Sequence, residues 1–148
     1  LRFPVRKIAE DLRGSGKNIS PAAGFLRKLQ VLVVDDEAAV REVLTSYLDL
    51  DGHASQTAAD GRAALELFQK NKFDLVITDR AMPEMNGDRL VERIKEINPG
   101  TPVILVTGFG ELMKAKGEHP KGVDIILSKP LPISVFREAV AKLFTPYS

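Results

Sequence analysis

Cysteine and tryptophan are both absent from the 148 residues. Without cysteine neither a disulfide nor a thiolate metal site can form. That composition fits a reducing compartment, and a cytoplasmic location is expected. Histidine is scarce, and His53 and His119 are too few for a His-based metal centre. No apolar run approaches the roughly 20 residues needed to cross a bilayer, and no charged-then-apolar signal segment opens the chain. Direct membrane insertion is therefore not expected. A surplus of one charge is also lacking, with 21 basic against 20 acidic side chains. The balance hides an asymmetry: residues 1–28 carry +5 and residues 29–148 carry −4. A basic segment beside a mildly acidic domain can touch nucleic acid or membrane. Here it reads as a solvated linker, with no nucleic-acid partner.

What is present suits one globular domain with a tail, since 44% of residues are hydrophobic and 28% charged. The chain opens on Leu1 rather than Met, which reads as a fragment of a longer protein. Residues 14–24 are small, polar and turn-prone, as a linker is. From Leu29 the pattern becomes regular. Val31 to Val34 is a short apolar run, as expected of a strand buried on both faces. Val40, Val43, Leu44, Tyr47 and Leu48 recur at helical spacing, and Gly52 closes that helix. His53 to Thr57 reads as a weaker, edge-like strand. Ala64, Leu65 and Phe68 mark a second helix, and Asp74 to Thr78 a second strongly apolar strand. Leu90, Val91, Ile94 and Ile97 form a third helical stripe, stopped by Pro99-Gly100. Val103 to Val106 and Ile125 to Leu127 are further strands. The last helix carries Val135, Phe136, Ala139, Val140, Leu143 and Phe144. Gly117, Pro120 and Gly122 predict a short, loosely held fourth helix. The five-fold alternation calls for an α/β fold, a doubly wound, five-stranded parallel sheet with helices on both faces.

In such sheets ligands bind beyond the carboxyl ends of the strands, where the winding switches. The first strand ends in Asp35-Asp36-Glu37 and the third in Asp79. The fourth ends in Thr107-Gly108 and the fifth in Ser128-Lys129-Pro130. If the strand order is 2-1-3-4-5, Asp35, Asp36 and Asp79 meet in one crevice, with Thr107 and Lys129 on its far wall. Three close carboxylates repel one another unless a cation joins them. Hard oxygen donors of this kind suit Mg²⁺. A metal there leaves one Asp oxygen free to attack phosphorus, while the ion, a Lys ammonium and a Thr hydroxyl stabilise the phosphoryl oxygens. Taken singly, an Asp after a strand is most often a cap or turn residue. Five such positions on the ends of the expected strands are hard to ascribe to chance.

With those residues assembled, the chain from about Leu29 to Phe144 closely resembles the response-regulator receiver family of two-component signalling, whose fold is flavodoxin-like. The motifs that carry the resemblance are Val33-Val34-Asp35-Asp36-Glu37, Thr78-Asp79 with Met82-Pro83 and Asn86-Gly87, Val106-Thr107-Gly108, and Ser128-Lys129-Pro130-Leu131. It implies that Asp79 is the phosphoacceptor and that Asp36, Asp79 and the backbone carbonyl of Ala81 bind Mg²⁺ directly, with Asp35 acting through a water. Thr107 and Lys129 would engage the phosphoryl group, and the Lys129–Pro130 bond would be cis. The implied donor is a phosphohistidine of a histidine kinase or a histidine phosphotransfer domain. Such a domain speeds its own phosphorylation and hydrolyses the product, with no external substrate. The family often has Tyr or Phe three residues before its Lys, and here that position is Ile126. Ala81 is small and leaves the site open to water, so a fairly short-lived phosphoryl-Asp is expected. Helix faces in this family serve both packing and pairing, which leaves a homodimer open.

Residues 29–148 are thus read as the receiver domain and 1–28 as a basic linker or tail. Leu1-Arg2-Phe3-Pro4-Val5 resembles the closing strand of the ATP-binding domain of sensor histidine kinases. Only Thr145-Pro146-Tyr147-Ser148 follow the last helix, so no DNA-binding output domain is expected. Together these point to the C-terminal receiver of a hybrid sensor histidine kinase. A flavin-binding protein of the same fold is disfavoured, because Asp35-Asp36-Glu37 would repel a flavin phosphate. An aspartate-nucleophile hydrolase of small phosphate esters would resemble Asp-x-Asp at the first strand, where this chain has Glu37. A pseudo-receiver without chemistry would not need the intact set of Asp35, Asp36, Asp79, Thr107 and Lys129.

Overall fold

Val31, Leu32, Val33 and Val34 are all buried within β1 (Gln30–Val34) of the computed structural model, which describes residues 27–144. A strand with no exposed face must lie inside a sheet covered on both sides. That is where β1 sits, paired in parallel with β2 (Ala54–Ala58) and with β3 (Leu75–Thr78). β3 pairs with β4 (Val103–Thr107) and β4 with β5 (Ile125–Ser128), also in parallel. The order is β2-β1-β3-β4-β5, the 2-1-3-4-5 winding that brings the first and third strands side by side.

The helices are α1 (Ala38–Leu50), α2 (Gly61–Lys70), α3 (Gly87–Ile97), α4 (Gly110–Ala115) and α5 (Ile133–Phe144). Alternate strand residues Leu32, Val34, Val76, Leu105 and Ile126 join a core cluster with Phe68 of α2, Leu90 and Ile94 of α3, and Met113 of α4. The intervening Val31, Val33, Leu75, Ile77 and Ile104 are equally buried, and by the two-residue period they face the other side. On that side Tyr47 of α1 lies 5.7 Å from Phe136 of α5, ring centroid to ring centroid. The Tyr47 hydroxyl donates to the Leu131 carbonyl at 2.7 Å. The Arg137 guanidinium forks onto Asp51 at 2.8–3.2 Å, a second tie between α5 and the end of α1.

Caps place the helix starts. Asp60 accepts the Ala63 N–H at 2.8 Å and Asn86 accepts the Arg89 N–H at 2.9 Å. Each such cap is worth about 1 kcal/mol. The fourth helix is short, as its glycines and proline predict: it runs for six residues, and after its cap Lys116 the chain turns at Gly117, whose φ is +70°.

Three expectations shift. The edge strand starts at Ala54 rather than His53, because the His53 N–H turns back to the Leu48 carbonyl of α1 at 3.0 Å, while its buried ring accepts the Leu29 N–H through Nδ1 at 3.0 Å. Val43 and Val135 are exposed, each about 100° around its helix from the buried Leu44 and Phe136. Ile97 shares the face of Leu90 but is the last residue of α3 and stays 44% exposed. Lys28–Ala139 form one compact unit. Of the remainder, Arg27 stands 6.0 Å from the Phe144 ring centroid, at cation–π distance. The expected linker, except Arg27 and Lys28, and the final four residues lie outside the described residues. No described helix is long and apolar enough to cross a membrane.

Candidate functional site

Beyond the carboxyl ends of β1 and β3 the two strands continue to pair for one residue each. The Asp79 N–H donates to the Val34 carbonyl at 3.0 Å, and the Asp35 N–H reaches the Ala58 carbonyl of β2 at 3.2 Å. This pairing fixes where both side chains project. Asp35 is 1% and Asp79 6% exposed, while Asp36 is open to solvent. The three carboxylates bring oxygens within 4.8 Å of one another.

Each carboxylate oxygen of the two buried acids is held. Asp35 Oδ1 accepts the Glu37 N–H at 2.9 Å, and its backbone carbonyl takes the Arg41 guanidinium at 2.6 Å. Asp79 Oδ1 accepts the N–H of Arg80 at 2.7 Å. Lys129 follows β5, where its N–H donates to the Thr107 carbonyl at 3.0 Å. From there Nζ reaches Asp35 Oδ2 at 3.0 Å, Asp79 Oδ2 at 3.3 Å and Glu37 Oε1 at 3.2 Å. Lys129 therefore does not stand on a far wall; its four-carbon stem carries the ammonium in among the acids. The Lys129–Pro130 bond is cis, as the resemblance implies. Thr107 is 1% exposed, and its hydroxyl oxygen accepts the Phe109 N–H at 3.3 Å. Ala81 is exposed in the loop after Asp79.

Burial pushes the Asp35 carboxyl up, and nearby Asp79 adds to that against the opposing Glu37 N–H and Lys129. Burial also pulls Lys129 down, but its bond to Asp35 and the charges of Asp79 and Asp35 outweigh this and leave it raised. At an effective dielectric near 20, two unit charges 4.8 Å apart repel by about 3–4 kcal/mol. Lys129 contacts only Asp35 and Asp79 of the three, whereas a divalent cation placed among their oxygens serves all three. The donor set is all hard oxygen, partly buried and partly open, which fits Mg²⁺ with some of its waters retained.

Asp35, Asp36, Asp79 and Lys129 thus meet as expected, with Thr107 beside Lys129 on the neighbouring strand. Four participants were not singled out from the sequence. Glu37 shares Lys129, and its place beside the acid pair was a signal. Gly87 starts α3 against the loop after Asp79: its N–H donates to the Arg80 carbonyl at 2.8 Å, and a Cβ there would overlap the Asp79 carbonyl oxygen. Asn86-Gly87 hinted at a turn, not at this approach. Arg41 and Arg80 had no signal, since their roles depend on side-chain reach.

A family model described as "response regulator receiver domain" matches residues 31–141. The chain is 33% identical over 113 residues to sporulation initiation phosphotransferase F of Bacillus subtilis (strain 168), covering 76% of this chain and 91% of that protein. It is 35% identical over 113 residues to the sensor histidine kinase RcsC of Salmonella typhimurium (strain LT2), again over 76% of this chain. It spans only 12% of that kinase's length. Among solved structures, the response regulator TrrA of Thermotoga maritima in complex with Mg²⁺-BeF superposes with a TM-score of 0.71 at 30% identity, over 80% of this chain and all of that one.

Proposed function

Because the chain belongs to the response regulator receiver family of two-component signalling, we propose that Asp79 accepts a phosphoryl group from a phosphohistidine. The observation that carries this reading is the gathering of three carboxylates within 4.8 Å around one lysine ammonium. Receiver domains bind Mg²⁺ through such an acidic pocket and take phosphoryl groups from histidine kinases or phosphotransfer proteins.

An oxygen of the Asp79 carboxylate attacks phosphorus in line. A P–O bond forms, the P–N bond breaks, and its electron pair returns to the donor imidazole. Lys129 Nζ, already 3.3 Å from Asp79, is placed to follow the charge onto a phosphoryl oxygen. The Thr107 hydroxyl, whose oxygen accepts the Phe109 N–H, still has its proton to donate to another. Mg²⁺ held by Asp36, Asp79 and the Ala81 carbonyl, with Asp35 through a water, would neutralise the acids and the developing phosphoryl charge. Exposed Ala81 leaves water a route to the acyl phosphate, which supports a short lifetime; a half-life of many hours at neutral pH would contradict this.

Similarity to RcsC supports placing the domain in a hybrid sensor kinase, in the cytoplasm, with residues 1–28 as the linker before it. The test is intact mass after incubation with acetyl phosphate and Mg²⁺. One phosphoryl adduct is expected, lost in Asp79→Asn and with chelator. No adduct together with no Mg²⁺ binding would move the assignment to a pseudo-receiver.

A further inference from the structure

Arg80 joins three parts of the molecule. Its N–H donates to Asp79 Oδ1 at 2.7 Å, and its carbonyl accepts the Gly87 N–H at 2.8 Å. Its guanidinium forks onto Asp88 of α3 at 3.1 and 3.0 Å and reaches Glu118, beyond α4, at 2.7 Å. We propose that Arg80 is a positioning residue that couples the state of Asp79 to the segment between α4 and β5 through its ion pair with Glu118.

The inference rests on Asp79 being the phosphoacceptor. The backbone around Arg80 is tightly packed, because Gly87 lies so close to the Asp79 carbonyl that no Cβ fits. When Asp79 Oδ1 or Oδ2 becomes part of an acyl phosphate, its hydrogen bonds rearrange and more negative charge arrives beside Arg80. A displacement of the Arg80 backbone cannot be absorbed toward Gly87, so it passes to the side chain. There two anchors compete. Asp88 holds the guanidinium by two bonds from the first turn of α3, a continuous helix. Glu118 holds it by one, from a segment between Gly117 and Pro120. The bidentate partner on the stiffer element keeps the guanidinium, and Glu118 lets go. The Glu118 N–H, now bonded to the Met113 carbonyl at 2.8 Å, links that release to α4. This route needs no aromatic ring at position 126, where the chain has a buried Ile.

These ion pairs are partly exposed, with side-chain accessibilities of 29%, 35% and 42%, so their contribution to stability is small. The experiment therefore reads propagation rather than stability. Backbone amide shifts are recorded with and without beryllium fluoride and Mg²⁺ at saturation, in the wild type, Arg80→Met, Arg80→Lys and Glu118→Gln. In the wild type, Thr107–Phe109 and Gly117–His119 are both expected to shift. In Arg80→Met and Glu118→Gln the shifts at Gly117–His119 should fall by at least half, while those at Thr107–Phe109 persist. Arg80→Lys, which keeps a charge for Glu118, should restore part of the loss. Full shifts at Gly117–His119 in both Arg80→Met and Glu118→Gln would overturn the coupling alone. No shift at Thr107–Phe109 or Lys129 in the wild type would overturn the phosphoacceptor reading and the coupling with it. Should Arg80→Met fail to fold, Glu118→Gln decides alone.

Discussion

The carboxyl ends of β1 and β3 and the segment from Phe109 to Gly122 are built on opposite lines. At the first, Asp35 and Asp79 are buried, their oxygens are held by backbone N–H groups and Lys129, and Gly87 is packed so close that a methyl group would not fit. At the second, Gly110 and Met113 anchor a six-residue helix, but Phe109 and Leu112 beside them are 57% and 52% exposed, and the glycine after it has open space around it. Chemistry that must hold a phosphoryl group within tenths of an ångström needs the first kind of construction. A response that must move needs the second, because segments with few buried contacts open at low free-energy cost. On the proposed function, the two tasks lie one strand apart.

That contrast can be broken or sharpened by substitution, beginning where packing is tightest. Gly87→Ala forces backbone against backbone at the Asp79 carbonyl and should cost about 3 kcal/mol or more of unfolding free energy, read by urea denaturation. A loss below 1 kcal/mol would show the acidic end to be softer than its geometry. Next, Lys129→Met removes the ammonium shared by Asp35, Asp79 and Glu37. Phosphorylation by acetyl phosphate should slow by about tenfold or more, the loss of one charge-assisted contact in the transition state. Mg²⁺ should meanwhile bind more tightly by calorimetry, since the acids lose their resident cation; weaker binding would contradict the electrostatic account. Gly117→Ala meets no neighbour and costs only the left-handed backbone conformation, about 1 kcal/mol. A cost matching that of Gly87→Ala would erase the contrast.

The smallest effect concerns pH. Burial holds His53 below its ordinary value, with Asp51 opposing in part. The unfolded chain therefore takes up a proton on His53 more readily than the folded one, so stability present at neutral pH is lost as pH falls through about 6.5 and below. Asp35 acts with the opposite sign further down, because its raised value favours the protonated folded state. His53→Asn keeps an acceptor for the Leu29 N–H without titrating. Subtracting its melting profile from that of the wild type between pH 7 and 5 should leave a positive slope with pH, and a flat difference would remove His53 from the account.

The strands and the acidic residues at their ends were legible because they rest on short-range signals; the 2-1-3-4-5 order, which no local signal fixes, was supplied as a condition and by the family resemblance. Apolar runs such as Val31–Val34 mark strands, and acidic residues at their ends are placed by the winding alone. Helical stripes predicted burial less well at Val43, Ile97 and Val135, where one step around a helix or a helix end decides exposure. Lys129 was placed in the right crevice but on the wrong side of it, since four rotatable bonds set where its nitrogen lies relative to its Cα. The Arg80 clasp and the His53 bond to Leu29 are set by loop paths and side-chain reach, neither of which has a period to read.

The ties between α1 and α5 bear on how the chain closes. Tyr47 reaches Leu131 across 84 residues and Asp51 reaches Arg137 across 86. Contacts so far apart in sequence close long loops, and a fold rich in such contacts forms more slowly than one built from local contacts. The last helix thus acts as a latch on the first. A chain cut before Leu131 would leave Tyr47 and Asp51 without these partners.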